Sequence, residues 1–244
     1  NEYSNLGLAR LYIIKDSLFK ALELCERIEA RNPDFSEVNY VRGFIYGRKG
    51  SSLFDRDRAI ENYSKYIAST TDNISAYLNR GDLYQQEGKI DLAIADYDSA
   101  LKLNPDYVWA LNNRGWIYYS VKNDTQRALE DFNHASAANP EYYWTYMNRA
   151  AVYEYLGEWQ KAEEDYNWAN DLKPDSFLVE MRQGECFLRQ GKIEEAIKNF
   201  TTALERAEND KAAIIRYDLA AAFFAKGDFA GAKKEIDKID LAEF

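Results

Sequence analysis

Residues 74–107 read ISAYLNRGDLYQQEGKIDLAIADYDSALKLNPDY, and residues 108–142 read VWALNNRGWIYYSVKNDTQRALEDFNHASAANPEY. The two stretches share a small residue, an aromatic residue three positions later, an alanine further on and a proline near the end. These residues are Gly81, Tyr84, Ala93 and Pro105 in the first stretch, and Gly115, Tyr118, Ala128 and Pro140 in the second. The chain therefore contains a duplicated unit of 34 or 35 residues.

The same register extends over the whole chain. The only four prolines are Pro33, Pro105, Pro140 and Pro174, and their spacings of 72, 35 and 34 residues correspond to two, one and one units. The alanine recurs as Ala21, Ala59, Ala93, Ala128, Ala162, Ala196 and Ala232. Because proline cannot continue a helix, each proline indicates the end of a helix rather than its middle.

Each unit is typical of two amphipathic helices joined by a turn. Glycines lie between the two halves at Gly50, Gly88, Gly157, Gly191 and Gly227. The small residue of the first helix and the alanine of the second permit a close approach of the two backbones, and the aromatic side chain fills the space beside that contact. The pattern predicts an all-α protein built from helical hairpins.

These motifs resemble the tetratricopeptide repeat (TPR) family, whose unit is a 34-residue helix–turn–helix with small, aromatic, alanine and proline residues at matching offsets. The resemblance implies a right-handed α-solenoid of about seven repeats forming one array over residues 1–244. Their approximate ranges are 2–35, 36–73, 74–107, 108–142, 143–176, 177–212 and 213–244. It also implies that the first helices line a concave face that binds a partner.

Composition disfavours catalysis and several kinds of partner. The net charge of −10 disfavours nucleic acid and anionic membrane surfaces, and no apolar run is long enough to insert into a membrane. His134 is the single histidine, and Cys25 and Cys186 are 161 residues apart in the chain, so we expect no cofactor, no metal site and no enzymatic activity. Both cysteines are predicted to be buried and inert.

The residue before each small position varies together with a residue of the second helix. Three repeats combine an arginine with an aspartate, namely Arg80 with Asp96, Arg114 with Asp131 and Arg149 with Asp165. Other repeats combine Leu8 with Leu24, Arg42 with Asn62, and Gln183 with Asn199, whereas Leu219 with Glu235 breaks the pattern. The covariation predicts that these side chains touch across the hairpin, and that the arginines are structural rather than ligand contacts.

The concave face implied by the resemblance carries a column of carboxamides. Asn79, Asn113 and Asn148 occupy the sixth position of three consecutive repeats, and a carboxamide pairs with both the N–H and the C=O of a peptide. The same face is predicted to carry aromatic and charged side chains that complete a peptide-binding groove. These are Tyr40, Phe44, Asp82, Trp109, Trp116, Tyr119, Trp144, Tyr155, Arg182 and Arg189, whereas Trp159 and Trp168 are expected to pack internally.

We expect a non-catalytic scaffold that binds an extended peptide or a helix of a protein partner in this groove. Two alternatives remain open, a self-associating assembly module and the regulatory arm of a larger enzyme. Ile214, Phe224 and Ile236 are expected to be exposed at an uncapped C-terminal repeat, which would permit a homo-oligomer. The two cysteines are compatible with the cytoplasm, and the absence of an initial methionine is compatible with a periplasmic or exported chain.

Overall fold

The computed structural model describes residues 1–239, with the side chains of residues 209 and 210 left out. This part of the chain forms fourteen helices and no strand. The helices are α1 (Glu2–Ile14), α2 (Leu18–Arg31), α3 (Glu37–Gly47), α4 (Arg56–Ser69), α5 (Ile74–Gln86), α6 (Ile90–Leu103), α7 (Val108–Ser120), α8 (Thr125–Ala138), α9 (Tyr143–Tyr155), α10 (Trp159–Leu172), α11 (Phe177–Arg189), α12 (Ile193–Arg206), α13 (Asn209–Lys226) and α14 (Phe229–Ile236).

The helices form successive hairpins, and the chain has the all-α TPR fold. Each of the four prolines lies two residues after the last residue of a helix, as at Leu103 and Pro105. The seventh first helix, α13, begins at Asn209, four residues before the predicted repeat start at Ala213. The extra residues between the sixth and seventh repeats therefore lengthen a helix rather than a loop. The predicted end of the array at 240–244 lies outside the described residues.

Contacts between Cα atoms divide the chain into an N-terminal part, Asn1–Ile117, and a C-terminal part, Tyr118–Phe244. The boundary lies within α7. In the N-terminal part α3 packs against α4 and α5 against α6, and the first helices α1, α3 and α5 follow one another. In the C-terminal part α9, α11 and α13 pack in the same way with α10, α12 and α14. The prediction of one continuous array remains untested.

The recurrent alanines form the closest contacts of the hairpins. In the first six repeats these alanines have no exposed surface; they are Ala21, Ala59, Ala93, Ala128, Ala162 and Ala196. At Gly81 an added Cβ would lie 2.9 Å from the ring of Tyr97, and at Gly184 it would lie 2.8 Å from the ring of Phe200. Since these distances are too short for carbon atoms in contact, glycine is required where the aromatic ring lies over the first helix.

The turns between the two helices of a repeat contain a residue with a positive φ angle, and in two repeats this residue is not glycine. Gly88 and Gly191 both have φ +74°. The first and fourth repeats, which lack the glycine in their sequence, place Asp16 (φ +58°) and Asn123 (φ +52°) in the same region. Aspartate and asparagine tolerate this conformation better than other residues that carry a Cβ.

Candidate functional site

A pocket of about 340 Å³ opens in the N-terminal part between α3 and α5. Its lining includes three of the predicted groove residues, Phe44, Asn79 and Asp82. The hydroxyl-bearing ring of Tyr63 and the cation of Lys49 belong to the same lining. We call the surface formed by α3, α5 and α7 the N-terminal first-helix surface, and the pocket opens between the first two of these helices.

The predicted asparagines are held by hydrogen bonds within the protein. Asn79 Nδ2 donates to the hydroxyl oxygen of Tyr63 at 3.2 Å, and Asn113 Nδ2 donates to Asp82 Oδ1 at 2.7 Å. Each carboxamide therefore uses one of its two N–H donors to fix its own orientation. Asn148 lies half-buried on α9.

Asp82 connects two neighbouring repeats of this surface. Its Oδ1 accepts a hydrogen bond from Tyr97 at 2.6 Å, besides the one from Asn113. Burial raises the pKa of the Asp82 carboxyl, and the hydrogen bonds from Tyr97 and Asn113 oppose that effect. Burial, followed by the neighbouring Asp82 charge, raises the pKa of Tyr97. The hydroxyl therefore stays protonated and orients the carboxylate.

The C-terminal first-helix surface, formed by α9, α11 and α13, carries charged side chains. Arg189 on α11 reaches Glu154 on α9 with an Nη1–Oε2 distance of 2.7 Å. Arg182 pairs with Glu185 on its own helix at 2.9 Å. The predicted residues Arg182 and Arg189 are thus both engaged with carboxylates. Asp218 of α13 is not among the residues predicted from the sequence, and its pKa is affected by burial and by Glu185, Arg182 and Arg189 of α11.

The predicted groove aromatics fall into two groups. Phe44, Trp109, Trp116, Trp144 and Tyr155 are exposed, which is what a binding surface needs. Two others are half-buried: Tyr40 packs against Tyr63 and Tyr66 at centroid distances of 5.9 and 5.3 Å, and Tyr119 contacts Tyr155 edge-on at 5.9 Å. Tyr40 therefore contributes to the core as well as to the surface.

The expectation that Trp168 packs internally is wrong. Its side chain is 58% exposed, although its ring stacks at 6.2 Å on that of Tyr146. Trp159 is partly buried against the core, as expected. At the C-terminal end Ile214, Phe224 and Ile236 are all exposed. Oligomer formation through them stays a prediction.

Two of the arginines before the small positions, Arg80 and Arg149, each contact two other helices. Arg80 donates to both carboxylate oxygens of Asp96, at 2.8 and 2.7 Å, and its Nη1 donates to Ser64 Oγ at 3.0 Å. Arg149 makes the equivalent pair of bonds to Asp165, and its Nη1 donates to Asn133 Oδ1 at 2.8 Å. The second contact reaches the preceding repeat, sixteen residues back, so the arginine ties successive hairpins together as well as the two helices of one hairpin.

Other predicted pairs have different partners. Arg42 pairs with Glu29 of the preceding repeat at 2.7 Å, and Asn62 donates to the backbone carbonyl of its own helix. Gln183 donates to Asn167 at 2.8 Å instead of pairing with Asn199.

In these repeats the contact to the preceding second helix replaces the contact within the hairpin. Arg114 contacts Asp98 in the N-terminal part, and its pairing with buried Asp131 stays a prediction. In the first repeat Leu8 is exposed, whereas Leu24 lies in the core.

No helix in residues 1–239 combines the length and the apolar character that a membrane crossing requires. What the fold and the surfaces define is a repeat protein of stacked helical hairpins with polar and aromatic first-helix surfaces. Family models described as TPR repeat and tetratricopeptide repeat match residues 81–121 and residues 147–204 and 181–239, respectively. The chain belongs to the tetratricopeptide repeat family, and it is a protein-interaction scaffold.

Similar proteins share this architecture. A curated relative, the chloroplastic tetratricopeptide repeat domain-containing protein PYG7 of Arabidopsis thaliana, is 29% identical over 125 residues, which are 48% of this chain and 40% of that protein. The match thus spans less than half of the relative's length.

Solved structures also align with the chain. A tetratricopeptide repeat protein from Parabacteroides merdae aligns with a TM-score of 0.76 at 20% identity, over 97% of this chain and 91% of that one. MamA aligns with a TM-score of 0.60 at 27% identity, over 72% of this chain and 93% of that one. YrrB, described as a TPR protein with an unusual peptide-binding site, aligns with a TM-score of 0.58 at 23% identity, over 74% of this chain and 91% of that one.

Proposed function

We propose that the first-helix surfaces bind an extended segment of a partner protein and that the chain has no catalytic role of its own. The observation that carries the proposal is the pocket between α3 and α5. It gathers an exposed aromatic ring, Phe44, with the fixed polar groups of Asn79 and Asp82. An apolar side chain of the ligand would pack on Phe44, while its backbone N–H and C=O groups would pair with the polar groups.

The asparagine column supplies the spacing for such a ligand. Asn79 and Asn113 lie on consecutive first helices of the N-terminal part, and Asn148 holds the same repeat position on α9. Axes of neighbouring packed helices are about 10 Å apart. An extended peptide advances about 3.3 Å per residue, so each asparagine would meet about every third residue of the ligand. Because these contacts involve backbone groups, the column would grip a segment irrespective of its sequence. The peptide-binding site named for YrrB is consistent with this use of the fold.

The test begins with a phage-displayed library of random twelve-residue peptides, selected on the immobilised protein. The enriched peptides are then titrated calorimetrically against wild type and against Asn79→Ala/Asn113→Ala/Asn148→Ala. Each lost hydrogen bond is worth about 0.5–1.5 kcal/mol, so the triple variant should bind at least about tenfold more weakly. Gln160→Ala, which removes an exposed amide on α10, should bind like wild type.

Folding and binding are separated by measuring far-UV circular dichroism on every variant. Loss of affinity in a triple variant that keeps its helical spectrum supports binding at the column. Enrichment of no peptide, or equal affinity of wild type and the folded triple variant, would contradict the proposal.

A further inference from the structure

The C-terminal first-helix surface carries an ion network with more carboxylates than cations. Arg189 is paired with Glu154, and Arg182 is paired with Glu185. The fifth member, Asp218 on α13, is half-buried. Two guanidinium groups thus face three carboxylates, and the network has an excess of one negative charge.

Asp218 has no hydrogen bond or ion pair to any of the residues that the structure describes. The neighbouring charges that shift its pKa are those of Glu185, Arg182 and Arg189, and all three residues belong to α11. Both arginines already have a carboxylate at hydrogen-bonding distance, and Glu185 repels Asp218. A half-buried carboxylate in this position is destabilising unless something else neutralises it.

Asp218 occupies the same position in its repeat as the asparagines of the column occupy in theirs. Asn148, Arg182 and Asp218 follow one another at spacings of 34 and 36 residues, and each lies two residues before the small residue of its first helix (Ala150, Gly184 or Ala220). Asp218 therefore occupies the position on α13 that Asn148 occupies on α9. The fold does not require a carboxylate there, because equivalent positions carry amides and an arginine.

We propose that the partner segment bound on the C-terminal first-helix surface carries a lysine or arginine side chain that forms an ion pair with Asp218. The inference rests on the proposed function and adds the chemical class of the ligand. An acidic segment fits less well, because both arginines are already neutralised and the network as a whole repels an anion. Tyr155, which follows Glu154 directly on α9, has an exposed ring that contacts Tyr119.

The proposal is tested with acetyl-Gly-Gly-Arg-Gly-Gly-amide, titrated into the ¹⁵N-labelled protein and followed by NMR. The largest shifts are expected at amides of α11 and α13 around Arg182, Glu185 and Asp218. The citrulline peptide has nearly the same shape without the charge, and it should bind at least tenfold more weakly. Stronger binding of the corresponding glutamate peptide at the same amides would overturn the proposal.

The decisive comparison uses two substitutions with the same change of charge. Asp218→Asn should weaken binding of the arginine peptide at least fivefold, whereas Asp171→Asn, at an exposed position of α10, should leave it unchanged. Equal weakening by both variants would show general attraction to an acidic protein, and no weakening by Asp218→Asn would place the ligand elsewhere. Both results overturn the proposal.

Protonation of Asp218 gives an independent readout. Burial first, and then the charge of Glu185, raise the pKa of Asp218 from 3.8 to about 6, and Arg182 and Arg189 oppose this effect. The affinity for the arginine peptide should therefore fall between pH 7.5 and pH 5, because arginine keeps its charge while Asp218 loses its own. The Asp218→Asn variant should show no such fall, and an unchanged pH dependence in that variant would contradict the role of Asp218.

Folding of the variant is not at risk. The pKa of Asp218 is higher in the fold than in the unfolded chain, so its ionised form opposes folding fully above about pH 6, and that effect declines as the pH falls from about 6 towards 3.8. Asp218→Asn should consequently be at least as stable as wild type at pH 7.5. The experiments distinguish failure of this inference from failure of the proposed function. If the triple asparagine variant loses binding of the selected peptides while Asp218→Asn has no effect on the arginine peptide, only the role of Asp218 is wrong. If Asp218→Asn weakens binding of the arginine peptide while the asparagine variant binds the selected peptides like wild type, only the asparagine column is wrong.

Discussion

The pair formed by Arg80 and Asp96 permits a quantitative test of how the hairpins are held together. In the Asp96→Ala variant the guanidinium of Arg80 loses two hydrogen bonds, of 2.8 and 2.7 Å, to a carboxylate that is only 6% exposed. The arginine side chain is itself only 17% exposed, so water cannot readily replace the carboxylate. The variant leaves a largely buried positive charge without its counter-charge.

The size of the effect follows from that burial. Removal of one partner of a buried ion pair costs about 3–5 kcal/mol. Arg80 keeps its bond to Ser64 and lies over the ring of Tyr84 at 5.7 Å, so we expect the lower end, about 3 kcal/mol. For a protein of this length that corresponds to a fall in Tm of about 6–12 °C, if unfolding is cooperative.

The assay is urea denaturation followed by far-UV circular dichroism, with Glu61→Ala as the control. Glu61 and Lys65 are also 2.7 Å apart, but their side chains are 60% and 58% exposed. The control should unfold at the same urea concentration as wild type within error, because exposed pairs contribute little. The Arg80–Asp96 and Lys65–Glu61 pairs have the same distance and differ in burial, so the comparison of the two variants isolates the contribution of desolvation.

A second variant separates the stranded charge from the lost volume. Arg80→Met/Asp96→Leu removes both charges and keeps the side chains large, so it should recover most of the stability lost in Asp96→Ala. If Asp96→Ala and Glu61→Ala have the same unfolding midpoint, the pair does not stabilise the hairpin. If the double variant is as unstable as Asp96→Ala, packing rather than charge explains the loss.

Two further predictions concern the core. Gly184→Ala should destabilise the protein by about 1–2 kcal/mol, because overpacking against Phe200 exceeds the gain in helix propensity. Gly7→Ala, with nothing within 4 Å of the added Cβ, should instead stabilise α1. Thermal denaturation should show a lower Tm for the first variant and a higher Tm for the second, and shifts in the same direction would refute the argument. Burial raises the pKa of the Cys25 thiol to about 11 and that of Cys186 to about 12. Neither thiol should react with a disulfide reagent at pH 8 until urea is added, and rapid labelling of the native protein would contradict the described burial.

The fold was predictable because the constraints recur. A buried alanine and a proline after the helix are dictated by contacts within one hairpin, so they repeat at the period of the chain and are visible in the sequence. The turns show the limit of this reasoning. Repeats without the turn glycine use Asp16 and Asn123 at positive φ, which a search for glycine alone overlooks.

The contacts between repeats were less visible. Pairing within the hairpin accounts for the covariation of Arg80 with Asp96, but the bond from Arg80 to Ser64 involves a residue type that is common on helix surfaces. The contact between repeats follows a spacing of sixteen residues towards the N-terminus, which joins Arg80 to Ser64 and Arg149 to Asn133. Asp218 was missed for a different reason: the asparagine column was followed only through identical residues, although its position continues into Arg182 and Asp218.

The core tyrosines join the stability of the fold to the geometry of the candidate surface. The hydroxyl of Tyr63 orients Asn79, and that of Tyr97 orients Asp82, which in turn holds Asn113. The equivalent residue of the sixth repeat is Phe200, which is buried equally well but offers no hydroxyl. Packing alone is thus satisfied by either ring, and tyrosine adds a fixed hydrogen bond to a first-helix polar side chain. The choice between tyrosine and phenylalanine at a fully buried position is therefore information about the surface rather than about the core.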